Sequence, residues 1–128
     1  MVQRSLNRET FGKRLSEHGS TQEMIADSAT DLQSARLLTL SCAAALDSVG
    51  AKNARDQIAM IKVRVPELTY RVVDRAVQVY GGAGVSGDTV LARMLVGLRS
   101  LRIADGPDAV HKRTVARMEL KKAQRSRL

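Results

Sequence analysis

Apolar residues recur at steps of three and four along three stretches of this chain, and that spacing predicts amphipathic helices. The predicted helices span about residues 20–49, 52–80 and 88–104. A fourth is predicted at about 107–124, because Gly106-Pro107 places a proline in a first turn, where its missing N–H costs nothing. No stretch alternates as a strand would, so the sequence predicts an all-α fold, an antiparallel helical bundle.

Local signals set the expected ends of these helices. Ser20 and Glu23 fit a capping box with Ser20 as N-cap, and Gly50 is a stop signal. Asp88 is the expected N-cap of the third helix. Pro66 is expected to kink the second helix without ending it, because the apolar spacing continues on both sides.

Residues 1–19 fit this bundle least well. They are basic and contain glycine, and we expect them to be the stub of a truncated first helix followed by a loop. The whole chain of 128 residues is expected to form one domain.

Charge and composition narrow the classes of function. The net charge of +8 raises nucleic acid as a partner, but the only aromatic residues are Phe11, Tyr70 and Tyr80, which offer no platform for base stacking. Nucleic-acid binding therefore stays a minor alternative. The single cysteine, Cys42, favours a reducing compartment. No apolar run is long enough for a membrane span or a signal core, so the expected location is the cytoplasm or the mitochondrial matrix.

A glycine-rich segment lies between the second and third predicted helices. Residues 82–87 match the dinucleotide fingerprint G-x-G-x-x-G, and Asp105 follows at about the distance of a ribose-binding acid. A dinucleotide fold needs a strand before the glycines, whereas the preceding residues have helical spacing, so we reject that interpretation. Two interpretations remain open: backbone amides that bind phosphate or ribose oxygens, or a helix C-cap with a tight turn.

Asp105 itself has two interpretations that the residues alone leave open. It precedes a predicted helix, where aspartate commonly caps a turn, and it is also a candidate general base. The two histidines, His18 and His111, lack the spacing of metal ligands, and we expect no metal site.

Three segments together resemble the acyl-CoA dehydrogenase family. Residues 8–13 (RETFGK) are similar to its R-x-T-F-G-K segment, and residues 78–84 (QVYGGAG) to its Q-x-x-G-G-x-G segment. Residues 101–108 (LRIADGPD) resemble the segment with its catalytic carboxylate, usually Glu and in one subgroup Asp. Order and spacing agree across nearly the whole chain.

The resemblance implies the family's C-terminal four-helix bundle, with the first helix truncated. It implies α,β-dehydrogenation of acyl-CoA thioesters to trans-2-enoyl-CoA, as in fatty acid β-oxidation, with Asp105 as the base and FAD as the cofactor. The implied partners are a second copy, in a dimer or dimer of dimers, and an electron-transfer flavoprotein. The implied cofactor-binding residues are Arg8, Thr10, Phe11, Gln78, Gly81, Gly82, Gly84, Gly106 and Pro107.

The family's N-terminal helical and middle β domains have no counterpart in these 128 residues. We therefore expect no turnover by the isolated chain, since those domains supply the flavin-ring pocket and much of the acyl-CoA groove. The alternative function is a non-catalytic helical dimerisation or scaffold module derived from the family.

Overall fold

The computed structural model describes residues 1–126. Within them the helices are α1 (Val2–Asn7), α2 (Gly19–Asn53), α3 (Arg55–Tyr80), α4 (Gly82–Val85), α5 (Leu91–Leu101) and α6 (Asp108–Arg125). An antiparallel pair of two-residue strands, β1 (Glu9–Thr10) and β2 (Lys13–Arg14), and a 3-10 turn (Leu15–Glu17) join α1 to α2. The expected all-α class is confirmed, although the sequence pattern did not predict this small hairpin.

Helix α3 lies at the centre and packs against α2, α5 and α6. Its apolar stripe supplies most of the buried hydrophobic side chains, among them Leu68, Val73 and Val79. The helix continues through Pro66, which is itself buried. This central position lets α3 contribute to sites at both ends of the bundle.

The buried face of α2 agrees in part with the apolar spacing of its sequence, which predicts a buried stripe of Ile25, Leu32, Ala35, Cys42, Leu46 and Val49. Its buried residues, Thr21, Ser28, Ala35 and Cys42, are small and recur every seven positions. Small side chains at this period allow close packing along one seam, and the Ser28 hydroxyl is satisfied by donating to the Met24 carbonyl at 2.6 Å. The larger residues of the predicted stripe are exposed, namely Leu32, Leu46 and Val49.

Two predicted helix ends are corrected, at Ser20 and Asp88, and the predicted stop at Gly50 is confirmed in part. Ser20 lies inside α2, whose N-cap is His18, and no side chain caps it. Asp88 precedes α5 by three residues, and its amide donates to the Ser86 hydroxyl. Gly50 does interrupt helical geometry, with φ of 75°, but the chain then resumes a last turn to Asn53.

The surface is larger than that of a compact monomer. Its accessible area is 8708 Å², whereas a compact protein of this mass exposes about 6,700 Å². Large side chains such as Leu37, Leu40 and Val96 are more than half exposed. Faces of the bundle are therefore uncovered. No helix in the described part of the chain is long and apolar enough to cross a membrane.

Candidate functional site

Asp105 lies in the turn between α5 and α6, within residues 101–108, which we call the Asp105 segment. It is exposed and has a φ of +53°, and Gly106 follows with a φ of +101°. Two consecutive residues in this region turn the chain sharply. Pro107, with φ of −68°, is then the N-cap of α6. Within residues 1–126 no ion pair occupies the Asp105 carboxylate, because the neighbouring Arg102 pairs with Asp108 instead.

Side chains from two other helices hold the Asp105 segment. The Lys62 ammonium of α3 donates to the Leu101 carbonyl and, at 2.7 Å, to the Ala104 carbonyl. From α6, Nε2 of His111 donates to the Asp105 carbonyl at 3.1 Å.

Two further features fix the same turn. Arg102 donates through Nε to Asp108 at 2.8 Å and lies 2.6 Å from it through a second guanidinium nitrogen, an arrangement that closes the turn across six residues. A Cβ on Gly106 would lie 3.0 Å from Nε2 of His111. Glycine at 106 therefore has a structural reason, a positive φ and a close neighbour, besides the cofactor role that the sequence predicts.

An open apolar cavity of about 480 Å³ lies beside Asp105. Its lining residues are Thr39, Ile58, Ile61, Lys62, Val65, Pro66, Leu101, Asp105 and His111. A carboxylate at the edge of an apolar surface gains basicity once a ligand excludes water from it, since burial disfavours the charged form. The geometry therefore allows Asp105 to act as a base towards an apolar substrate.

The predicted residues Arg8, Thr10 and Phe11 lie in a hairpin of residues 8–15, the N-terminal hairpin. The Arg8 carbonyl accepts from the Leu15 amide at 2.8 Å, and the Thr10 carbonyl accepts from Nε2 of His18 at 3.2 Å. Phe11 at the tip is 97% exposed with a φ of +53°. Only the edge of the His18 ring approaches it, with ring centroids 6.4 Å apart. The hairpin thus presents an aromatic ring to the exterior.

The glycine-rich segment contains two kinds of glycine. Gly81 ends α3 with a φ of +62°, and a Cβ on Gly82 would meet nothing within 4 Å, so Gly82 borders open space beside the exposed Gln78. Gly84 is different, because it is buried and a Cβ there would lie 2.7 Å from the Val77 carbonyl oxygen. Close packing of α4 on α3 explains Gly84, which gives this glycine a structural reason besides the cofactor contact that the resemblance implies.

The structure separates the predicted site residues into two groups. Arg4 of α1 lies over the Tyr80 ring at 5.5 Å, which brings the N-terminal hairpin to the glycine-rich end of α3. The Asp105 segment is held by Lys62, nineteen residues before Gly81, or roughly 28 Å of helix at about 1.5 Å per residue. Asp105 and the hairpin therefore lie near opposite ends of α3.

Sequence reasoning missed Lys62, and it considered His111 only as a metal ligand. Lys62 is 39 and 42 residues from its two acceptors, and no local signal links them. His111 follows Asp105 by six residues and lies in the first turn of the next helix. That short spacing is a sequence signal from which its contact with the Asp105 turn could have been predicted. Within residues 1–126 no group of three metal-ligating side chains assembles.

Residues 1–120 match the family described as acyl-CoA dehydrogenase, C-terminal domain. The chain belongs to the acyl-CoA dehydrogenase family. It is 48% identical over 125 residues to a probable acyl-CoA dehydrogenase of Arabidopsis thaliana, an alignment that covers 98% of this chain and 15% of that protein. The acyl-CoA dehydrogenase segment described here thus spans a small share of its curated relative.

Solved structures agree with this membership. A protein from Mycobacterium abscessus assigned to the acyl-CoA dehydrogenases superposes with a TM-score of 0.92 and 44% identity, over 95% of this chain and 30% of that one. The FAD complex of PigA superposes with a TM-score of 0.84 and 26% identity, over 91% of this chain and 30% of that one. Members of the acyl-CoA dehydrogenase family are FAD-dependent flavoproteins.

The exposed residues of the N-terminal hairpin and the neighbouring Gly82 have side-chain chemistry that fits FAD. The exposed guanidinium of Arg8 forms no ion pair within residues 1–126, and a guanidinium suits a diphosphate because it can donate to two oxygens at once. Phe11 offers a free aromatic face for a flat ring system, and Gly82 adds no side chain beside it. The N-terminal hairpin and Gly82 therefore match the chemistry of an adenosine diphosphate group.

Proposed function

We propose that this chain is the C-terminal part of an FAD-dependent acyl-CoA dehydrogenase that converts an acyl-CoA thioester to a trans-2-enoyl-CoA. The observation that carries the proposal is the position of Asp105. In a chain of this family, it lies at the edge of an apolar cavity in a turn held from two sides, and its carboxylate has no ion-pair partner among the described residues.

In this proposal Asp105 removes the α-proton of the acyl group. The adjacent thioester carbonyl acidifies that proton, and an acyl chain bound in the apolar cavity would exclude water from the carboxylate and so favour proton transfer. When bound, the flavin supplies the acceptor for the β-hydrogen, which leaves as hydride. The electrons then pass to an electron-transfer flavoprotein.

Arg8, Thr10, Phe11, Gln78 and Gly82 are proposed to contact the adenosine diphosphate half of the FAD. Lys62, which holds the Asp105 segment, lies roughly 28 Å along α3 from Gly81, and this separation supports a homo-oligomer in which the two groups serve different active sites. In such a dimer, each active site takes its base from one copy and its diphosphate contacts from the other. The large exposed apolar surface supports association of this kind.

Whole-protein activity is part of the proposal. The chain spans 15% of its plant relative and 30% of the solved M. abscessus chain, so most of an acyl-CoA groove would come from segments outside this alignment. We therefore expect no turnover by these 128 residues alone. The free, buried Cys42 supports a location in the cytoplasm or mitochondrial matrix.

A second candidate function is a non-catalytic dimerisation or scaffold module. The observations that favour it are the exposed apolar side chains and a total accessible area about 2,000 Å² larger than that of a compact monomer, a difference of the size buried in stable interfaces. Such a module would self-associate without binding FAD. Measuring flavin absorbance of the purified chain with FAD, alone and with a full-length relative, separates the two functions.

The direct test places residues 1–120 into the M. abscessus relative in place of its equivalent segment. Acyl-CoA-dependent reduction of an artificial electron acceptor is then measured. Asp105→Asn should lower kcat by about 10²–10⁴-fold because the general base is lost, with FAD content unchanged. Asp88→Asn, also an exposed aspartate near a helix start, is the control. Wild-type kcat in the Asp105 variant would reject Asp105 as the base.

A further inference from the structure

Both peptide groups that flank the Asp105 Cα are held by side chains from other helices. The Ala104 carbonyl belongs to the peptide group that enters Asp105, and it accepts from the Lys62 ammonium at 2.7 Å. The Asp105 carbonyl belongs to the peptide group that leaves it, and it accepts from Nε2 of His111 at 3.1 Å. Each bond limits the rotation of the planar peptide group that carries the carbonyl. Together the two bonds restrict φ and ψ at Asp105, and hence the direction of its Cα–Cβ bond.

Lys62 is suited to this task by charge and by position. Helix α5 ends at Leu101, and the last carbonyls of a helix lack partners within it. The ammonium bonds one of them, Leu101, and then Ala104 beyond the helix end, so one cation satisfies two acceptors and also complements the helix dipole. Its aliphatic stem lines the apolar cavity together with Ile61 and Val65.

His111 completes the arrangement from the opposite helix. A carbonyl has no proton to give, so Nε2 must carry the hydrogen in this contact, either as the neutral Nε2–H tautomer or as the imidazolium. Gly106 leaves the space that the ring needs, because a Cβ there would lie 3.0 Å from Nε2.

We propose that Lys62 and His111 are positioning residues for Asp105. They hold it at a φ of +53°, which an unconstrained aspartate adopts only rarely. The catalytic consequence rests on the proposed function, whereas the positioning itself is a property of this chain.

The test uses the full chain labelled with ¹³C and ¹⁵N, without cofactor or substrate. Lys62→Met keeps the stem and removes the ammonium, and Lys62→Arg restores two donors. His111→Leu removes the donor, and His111→Gln restores one. Lys112→Met, an exposed lysine on α6, is the matched control. The measurements are the carbonyl ¹³C shifts of Leu101, Ala104 and Asp105, and amide hydrogen exchange at Ile103 and Ala104.

Lys62→Met should shift the Leu101 and Ala104 carbonyl signals and speed exchange at Ile103 and Ala104 about tenfold, as expected for loss of a charge-assisted hydrogen bond. His111→Leu should shift the Asp105 carbonyl signal. Lys62→Arg and His111→Gln should return these signals towards the original, and Lys112→Met should leave them unchanged.

Unchanged carbonyl shifts in Lys62→Met and His111→Leu would overturn the proposal. Exchange that rises equally along α2 and α6 would also overturn it, because that result means general destabilisation. No flavin or acyl-CoA enters this measurement. If the chain gives the expected shifts and exchange rates while Asp105→Asn in the chimera keeps full dehydrogenase activity, the positioning of Asp105 is supported and the proposed function is rejected.

Discussion

The Asp105 segment and the N-terminal hairpin both present exposed candidate residues, Asp105 in the first and Arg8 and Phe11 in the second, but different hydrogen bonds hold the two regions in place. The Asp105 segment is bonded to Lys62, which is 39 to 42 residues away in sequence. The hairpin is shaped by bonds within residues 4–18. The Arg8 amide donates to the Arg4 carbonyl and the Leu15 amide to the Arg8 carbonyl, and Nε2 of His18 donates to the Thr10 carbonyl. The guanidinium of Arg4, in the helix just before the hairpin, lies 5.5 Å from the centre of the Tyr80 ring and makes the one cation–π contact with the bundle among the described residues.

This difference indicates how the two regions work. Bonds from two helices, one of them from 42 residues away in sequence, hold the backbone around Asp105 before any ligand arrives, and such pre-organisation suits the general base proposed above. The hairpin instead leaves Phe11 97% exposed and Arg8 without an ion pair in residues 1–126, so both side chains are available to another molecule. We infer that the Asp105 segment is complete within one chain and that the hairpin is completed by a partner.

The largest expected effect on stability comes from Gly84→Ala. The new Cβ would lie 2.7 Å from the Val77 carbonyl oxygen, so the backbone of α4 must move. Overpacking of this kind lowers the free energy of unfolding by about 1–3 kcal/mol. Chemical denaturation measures it, with Gly82→Ala as the control, since that Cβ has open space. Equal stability of the two variants would remove the distinction between the packed and the open glycine.

Arg8→Ala tests the hairpin as a cofactor contact. Loss of a charge-assisted bond to a diphosphate should weaken FAD binding about tenfold, while the thermal unfolding temperature stays near that of the parent. FAD titration of the chimera by fluorescence quenching measures the affinity. Arg36→Ala, an exposed arginine on α2, should bind as the parent does. If both variants lose affinity equally, the effect is one of net charge alone.

The ion pair between Asp56 and Lys122 joins α3 to α6, the two helices that hold Asp105, at 2.6 Å. The hydrogen bond from Lys122 holds the pKa of Asp56 below its ordinary value of 3.8. Hydrogen bonds to Asp56 and Glu119 raise the pKa of Lys122 above 10.5. A lowered carboxyl pKa adds stability that is complete above 3.8 and is lost as pH falls through the folded value. A raised lysine pKa adds stability that is complete below 10.5 and is lost at still higher pH.

Lys122→Met should therefore lower the unfolding temperature by a few degrees at neutral pH and flatten its decline below pH 4 or so. Amide exchange should rise in the Asp105 segment and stay constant in the hairpin. Thermal unfolding followed by circular dichroism across this pH range measures the first effect. A Lys122 variant with the parent's acid profile would show that the pair adds nothing to stability.

The smallest effect is expected from Phe11→Ala. The ring is 97% exposed, so its removal should change the free energy of unfolding by less than about 0.5 kcal/mol. FAD affinity should fall all the same, because an aromatic contact with the cofactor is lost. Denaturation and FAD titration of the same sample measure both quantities. A clear loss of stability would show that the hairpin packs on its own bundle.

The sequence predicts the buried face of each long helix in part. In α3, Leu68, Ala76 and Val79 of the predicted stripe are buried, whereas its other members are half-buried. In α2, Ala35 and Cys42 are buried as predicted, but close packing along the same seam also buries positions 21 and 28 and leaves Leu32 and Leu46 exposed. Asp105 could be found from its local motif. Lys62 could not, since only the packing of α3 against α5 brings its ammonium to the Ala104 carbonyl.

The measurement that tests the two-region account most directly mixes two inactive subunits. The chimera is prepared as Asp105→Asn and as Arg8→Glu, the second placing a negative charge against the diphosphate. The two preparations are dissociated, mixed in equal amounts and reassembled. If base and diphosphate contact come from different copies, half of the dimers are mixed and each has one intact site, so about a quarter of parental activity should return. If activity stays at the level of the separate variants, each active site takes both residues from one copy and the account is wrong.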